Sequence, residues 1–246
     1  MLGKIDLNCD MGEGFANDAL IMPLISSANI ACGFHAGGGA LMHQTIRLAM
    51  QHHVAIGAHP SFNDREGFGR RILQLPTTAI HRMVSDQIDL MMKATAAEGG
   101  KLSHVKPHGA LYNMAANELP VADAISRAIQ EIDDTLIVYG LPDSASESSA
   151  KAHGLRFYKE VFSDRTYTNE GKLTPREEPH AMIETAVQSL EQVLKVILHE
   201  TIKSTGGHEI SVKADTICIH GDGEHALAFA QLINTTLVKH GIAIKQ

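Results

Sequence analysis

Short apolar runs along this chain repeatedly break off into polar tips that carry glycine. The five clearest are IDLNCDMGEG (5–14), NIACGFHAGGG (29–39), VAIGAHPSF (54–62), LSHVKPHGALY (102–112) and TICIHGDGEH (216–225). Parallel strands present their functional groups where they end, so five such tips, each followed by a stretch with helical character, predict one cleft assembled from distant parts of the chain. The pattern predicts strands at 4–9, 29–32, 55–58, 102–106, 135–139, 156–161 and 215–219, with a short final one at 242–244. Helices are expected at 18–26, with Asp18 as its cap, at 40–52, from Pro76 to about Glu98, and at 119–131, 144–153, 182–202 and 224–240. Two long polar loops, 59–74 and 162–179, interrupt the alternation, and 208–213 reads as a minor β excursion.

Parity within the strands separates a barrel from an open sheet. Side chains alternate between faces with a period of two. Asp6, Asn8 and Asp10 share one face against Ile5, Leu7 and Cys9; His104, Lys106 and His108 share another; Thr216, Cys218, His220 and Asp222 oppose Ile217 and Ile219. A parallel sheet covered on both sides by helices is apolar on both faces. One apolar and one small or polar face instead predicts a closed β/α barrel with a hydrated upper interior. The 246 residues suit that architecture, and no Pro/Ser/Gly linker divides them, so 1–246 is read as one domain.

Composition narrows the function classes. The formal net charge is −7 with both signs mixed along the chain, which gives no basic stripe for nucleic acid. No run is apolar and long enough for a signal peptide or membrane span, and Cys9, Cys32 and Cys218 form no CxxC, so a reduced, cytoplasmic protein is expected. Neither GxxxxGK[ST] nor GxGxxG occurs.

The candidate chemistry lies in the tips. Asp6, Asn8, Asp10 and Glu13 gather acid at one strand end, suited to holding a cation, acting as a base or orienting a basic partner; turn chemistry around Gly12 and Gly14 is the plainer use. His35 and His59 close neighbouring strands and can move protons, and with Asp10 they form a set that can bind zinc or a similar ion. Lys106 on an inward face can neutralise a substrate carboxylate or pair with Asp6 or Asp10, and Tyr112 beyond it can donate a hydrogen bond or pack in the core. Arg65, Arg70 and Arg71 in the first loop offer guanidinium forks for carboxylate or phosphate as well as ordinary surface pairing, and the second loop repeats the theme with Arg165 and Arg176 beside Asp164 and Tyr167. Glu160 ends the strand before that second loop, and the HGDGEH turn offers backbone amides to an anion.

At IDLNCDMGEG, SANIACGFHAG, VAIGAHPSFNDREGFGRR, HVKPHGALYN, EVFSDRTY and CIHGDGEHA the chain resembles the LamB/YcsF family over nearly its whole length. The resemblance implies a seven-stranded β/α barrel of the glycoside hydrolase/deacetylase type. It also implies ATP-dependent opening of 5-oxoproline (pyroglutamate) to glutamate, with Mg2+ accompanying ATP and two further subunits, B and C, of a 5-oxoprolinase as partners. Many members carry an acidic residue after the HAG of this motif, often followed by Pro, where this chain has Gly38 and Gly39. On this reading Asp10 or His59 activates water, with Lys106 and His35 completing the catalytic group. Asn8, Arg65, Arg70, His108, Tyr112, Glu160, Arg165, His220 and Asp222 bind or orient substrate, and a metal, if one takes part, sits on Asp10, His35 and His59. The alternatives are a metal-dependent, deacetylase-like amide hydrolase and a non-catalytic subunit that only binds substrate.

Overall fold

The structure is a computed structural model that describes residues 3–221, 223 and 225–246. Its first strand shows how the fold arises. In β1 (Gly3–Met11), Ile5, Leu7 and Cys9 enter the apolar layer, while the alternate residues Asp6, Asn8 and Asp10 hydrogen-bond across the interior. The same alternation recurs in β2 (Ser27–Ala31), β3 (Ala55–His59), β4 (Leu102–Val105), β5 (Ile137–Gly140), β6 (Arg156–Phe162) and a later strand, Thr216–Ile219. These seven are all parallel. The last pairs with both β6 and β1, with Asn8 opposite Cys218, which closes the barrel.

The covering helices are α1 (Asp18–Ile21), α2 (Gly39–Gln51), α3 (Thr77–Ala97), α4 (Gly109–Asn117), α5 (Leu119–Ile132), α6 (Ala145–Ala152), α7 (Ala186–His199) and α8 (Ala226–Lys239). Their apolar stripes face the barrel. In α3, Ile80, Val84, Ile88 and Met91 are fully buried at helical spacing, and each such side chain contributes about 1.5–3 kcal/mol. Between α7 and the last barrel strand lies an antiparallel hairpin, β7 (Thr201–Lys203) and β8 (Glu209–Ser211), so the barrel strand Thr216–Ile219 is β9. A final strand, β10 (Ile242–Ile244), pairs with the first three residues of β1. Among the described residues no helix is long and apolar enough to cross a membrane.

Three local expectations are corrected. The stretch after β4 holds a helix, α4, that Pro107 and Gly109 conceal in the sequence. The helix expected over 182–202 is only α7: Thr185 caps it by accepting from the Gln188 N–H, and left-handed Glu200 (φ 53°) ends it so that the hairpin can follow. Asp18 is not a cap. Its carboxylate accepts from the Gly12 N–H at 2.7 Å and ties the β1 tip to α1, which passes at Pro23 into a 3-10 turn (Met22–Leu24).

The barrel interior is polar along its axis. At the lower end Asp6 accepts from Ser26, Ser27, Tyr139 and Thr216 at 2.6–2.9 Å, which satisfies a fully buried carboxylate. Gln246 closes that end through Ser103 and Tyr139. One layer up, Asn29 donates to Asn8 (2.7 Å) and Asp10 (2.8 Å) and accepts from His104 Nε2 (2.8 Å). The His104 ring occupies space that a side chain on β3 would fill: a Cβ on Gly57 would lie 2.1 Å from its Nε2. Burial, then the charges of Lys106 and His59, push His104 down to about 3, so the ring is neutral.

Candidate active site

The polar column emerges at the C-terminal ends of the strands as a chain of charges. Lys106, just past β4, is 2% exposed, and its Nζ lies 2.8 Å from Asp10 Oδ1, 3.0 Å from Cys218 Sγ and 3.3 Å from Asn8 Oδ1. Glu160 Oε1 is 2.9 Å away but off the line of a hydrogen bond, so that contact is a charge pair only. Burial alone would lower the lysine's affinity for its proton; Asp10, Cys218 and Glu160 reverse this and hold it well above its usual value. Burial alone would likewise raise Asp10, yet the charges of His59 and Lys106 hold its carboxyl well below the ordinary range. Asp10 Oδ1 takes the hydrogen bonds from Asn29 and Lys106, while Oδ2 faces His59 Nε2 at 3.4 Å.

Three imidazoles stand beside this ion pair. His59 Nδ1 donates to the Lys106 carbonyl at 2.7 Å, and His108 Nε2 donates to the Phe68 carbonyl at 2.9 Å. The remaining nitrogens, His59 Nε2 and His108 Nδ1, face each other at 2.9 Å. His35 stacks on His108 with ring centroids 3.9 Å apart, and its Nε2 donates to Glu13 Oε1 at 2.9 Å while its Nδ1 meets the Ser61 hydroxyl at 2.8 Å. Burial, followed by the His59 charge, pushes His35 down to about 3. Glu13, His35, His59 and His108 each offer a ligand atom, and these atoms lie within 4.8 Å of one another; Asp10, Cys218 and His220 form a second such group. The structure therefore contains clusters with the composition of a metal site.

The two long loops wall the approach. Arg70 lies over the Phe68 ring, 4.9 Å from its centroid, and Gly69 accepts from the Ala110 N–H. That approach needs glycine at 109, where φ is +55° and a Cβ would lie 2.6 Å from the Gly69 oxygen. Asp164 accepts from His220 Nδ1 at 2.7 Å, and Arg176 reaches to 3.5 Å from the other nitrogen of that ring. Arg70, Gly109, Ala110, Arg176 and His220 help to enclose a cavity of about 640 Å³ whose floor is Asp10, His59 and Lys106.

Most residues singled out from the sequence meet here. Asp10, Arg70, His59, Lys106, His108, Tyr112, Arg165 and His220 line the cavity. The Tyr112 hydroxyl is buried, and burial together with the nearby Glu160 charge pushes it well above its usual value. Asn8 and Glu160 lie behind the floor, fully buried. Arg165 donates to the carbonyls of Thr174 and Ala181 and so holds the second loop closed on itself. Arg65 is likewise tied to the carbonyls of Gly33 and Gly37, and Asp222 lies outside the described residues. Asp164, singled out in the second loop, joins the site as the partner of His220, and the Phe68 carbonyl joins it without a sequence signal of its own. Glu13 carries one, as an acid in the first tip, but strand parity cannot aim it beyond the end of β1.

The glycines at 38 and 39 follow from backbone geometry. Gly39 has φ +51°, closed to proline, whose ring fixes φ near about −65°. Gly38 has φ +87°, and a Cβ there would come 3.0 Å from the Gly33 Cα. An acid–Pro pair could not follow this path.

Known proteins place the chain. It matches the LamB/YcsF family over residues 5–246. It is 47% identical to a protein of Tolumonas auensis that is named as the A subunit of 5-oxoprolinase, over 99% of each chain. Its fold superposes on the crystal structure of a lactam utilization protein from Thermus thermophilus with a TM-score of 0.93 and 38% identity, covering 98% of this chain and 99% of that one. A family 4 carbohydrate esterase from Streptomyces lividans, at TM-score 0.50 and 13% identity over 99% and 92% of the two chains, shares the fold alone. With the barrel, its polar axis and the strand-end motifs in register, the chain belongs to the LamB/YcsF family.

Proposed function

We propose that this chain is the subunit of an ATP-dependent 5-oxoprolinase in which the lactam of 5-oxo-L-proline is opened to L-glutamate. The observation that carries the reading is Asp10: a carboxylate kept ionised by a buried lysine, with Oδ2 turned toward the imidazole group on the cavity floor. The name of the 47% identical relative supplies the substrate.

A carboxylate held this far below its ordinary range is always ready to accept a proton at neutral pH, but it is a weak base. It can assist water only against an activated carbonyl, which is what ATP provides. The γ-phosphoryl group passes to the lactam oxygen and ADP leaves. Water then attacks the ring carbon and gives its proton to Asp10. The tetrahedral adduct can expel phosphate, which merely restores the lactam, or expel the ring nitrogen. Protonation of that nitrogen decides the outcome, and protonated Asp10, a strong acid for a carboxyl, returns the proton there. The C–N bond breaks to leave a γ-acyl phosphate, which a second water hydrolyses to glutamate and phosphate. Arg70 and Arg176 at the cavity wall suit the substrate carboxylate. Lys106, already saturated by its neighbours, keeps Asp10 charged.

ATP with Mg2+ binds on a partner subunit or through a loop arrangement of this chain other than the GxxxxGK[ST] and GxGxxG motifs, which it lacks. The partners are two further subunits, B and C, and the complex is cytoplasmic. The test is reconstitution of this chain with its candidate partners and assay of 5-oxoproline-dependent ADP release together with glutamate. Coupled formation of both supports the reading; ADP release without glutamate, or neither product, discards it.

A further inference from the structure

We propose that Glu13, His59 and His108 form a binding site for one divalent first-row transition-metal ion, with its open position facing the cavity and Asp10. The site stands whether or not the chain opens a lactam.

The argument starts from hydrogen bonds that leave no choice of tautomer. A backbone carbonyl only accepts, so His59 must carry its hydrogen on Nδ1, toward Lys106 O, and His108 on Nε2, toward Phe68 O. A ring that carries only that hydrogen has a lone pair on its other nitrogen, and the two nitrogens that remain, His59 Nε2 and His108 Nδ1, point at each other across 2.9 Å in a buried setting. Such an approach takes either a shared proton or a metal ion between the two nitrogens, and the position of Glu13 favours the ion. Glu13 Oε1 completes a triangle, 3.9 Å from His59 Nε2 and 3.6 Å from His108 Nδ1. Donors bound at about 2.0–2.1 Å around a tetrahedral ion stand about 3.3 Å apart, so the three atoms have the spacing of one coordination shell.

The outer contacts match that use. Metal-binding imidazoles almost always donate their other N–H to a carbonyl or carboxylate, which fixes the ring, and both rings do so here. His35, through Nε2, holds Glu13 Oε1 in place in the same manner. Two imidazoles and a carboxylate favour zinc, cobalt or a neighbouring ion over magnesium, which prefers an all-oxygen shell. The expected set Asp10, His35 and His59 is thereby revised: both nitrogens of His35 are engaged by Ser61 and Glu13, and His108 takes its place.

The experiment uses the untagged full chain, stripped with chelator, dialysed against Co2+ and then against metal-free buffer. We expect about one equivalent of Co2+ retained, with the visible ligand-field absorption of nitrogen ligation. His59→Ala and His108→Ala should each weaken retention at least about 100-fold, while His43→Ala, on α2, should retain it as wild type does. Folding of each variant is checked by circular dichroism. The wild-type spectrum decides even where a variant does not fold. No Co2+ retained, or Co2+ retained without that absorption, would show that the two rings share a proton instead and would overturn the site. Equal retention by folded His59→Ala and His108→Ala would overturn it as well.

Discussion

At the scale of single residues, the site depends on a lysine that is almost wholly buried. Lys106 neutralises Asp10 and Glu160 together, and a buried charge left without its partner costs about 3–5 kcal/mol. Lys106→Met should therefore destabilise the protein by roughly that amount in urea unfolding. Adding Glu160→Gln should recover part of the loss, because one of the two stranded carboxylates is then neutral; no recovery would mean the lysine acts by packing alone. Gly57→Ala makes a separate demand. Its methyl would overlap the His104 ring, and forced overpacking of this kind costs typically about 1–3 kcal/mol, so a lowered melting temperature with His104 displaced from Asn29 is expected. Asp10, His59, Lys106 and His108 were legible because each sits at or just beyond a strand end, where residue type and parity agree. Asp6 shares the parity of Asp10 but lies lower on the axis, saturated by four hydroxyls. Sequence alone does not say which end of a strand is the mouth for a given acid.

At the scale of elements, strands were easier to read than what joins them. Their period of two survives short length, whereas α4 is masked by Pro107 and Gly109, and α7 ends where Glu200 turns left-handed, a feature no pattern of apolar residues announces. The second long loop is held to the barrel by Asp164, whose carboxyl accepts from His220. Burial alone would raise Asp164; the charge and hydrogen bond of His220, with the charges of Arg176 and Arg165, together outweigh burial and lower it. A carboxyl lowered on folding adds stability that is fully present above its unfolded value, about 3.9, and is lost as pH falls through its lower folded value. Asp164→Asn should therefore flatten the acid side of the stability–pH curve below about pH 4 relative to wild type, measured by chemical denaturation at stepped pH. An unchanged slope would show that the pair is not ionic.

At the scale of the whole molecule, seven parallel strands bring residues more than 200 positions apart together in one barrel interior, as Asn8 and Thr216 show. The asymmetry of strand faces foretold a closed barrel with a polar interior, and the interior is polar down to Gln246, further than a hydrated mouth alone requires. Family membership adds the substrate of a close relative, and the cavity adds room for a small acid under arginine walls. The central claim is that the lactam opens over Asp10. Its most direct test is glutamate formation by the reconstituted complex carrying Asp10→Asn, which preserves shape and removes the proton acceptor. The account predicts a rate lower by about 100- to 10,000-fold, the usual worth of a positioned acid–base group, with the variant chain still folded and still assembled with its partners. Glutamate formed at the wild-type rate would contradict it.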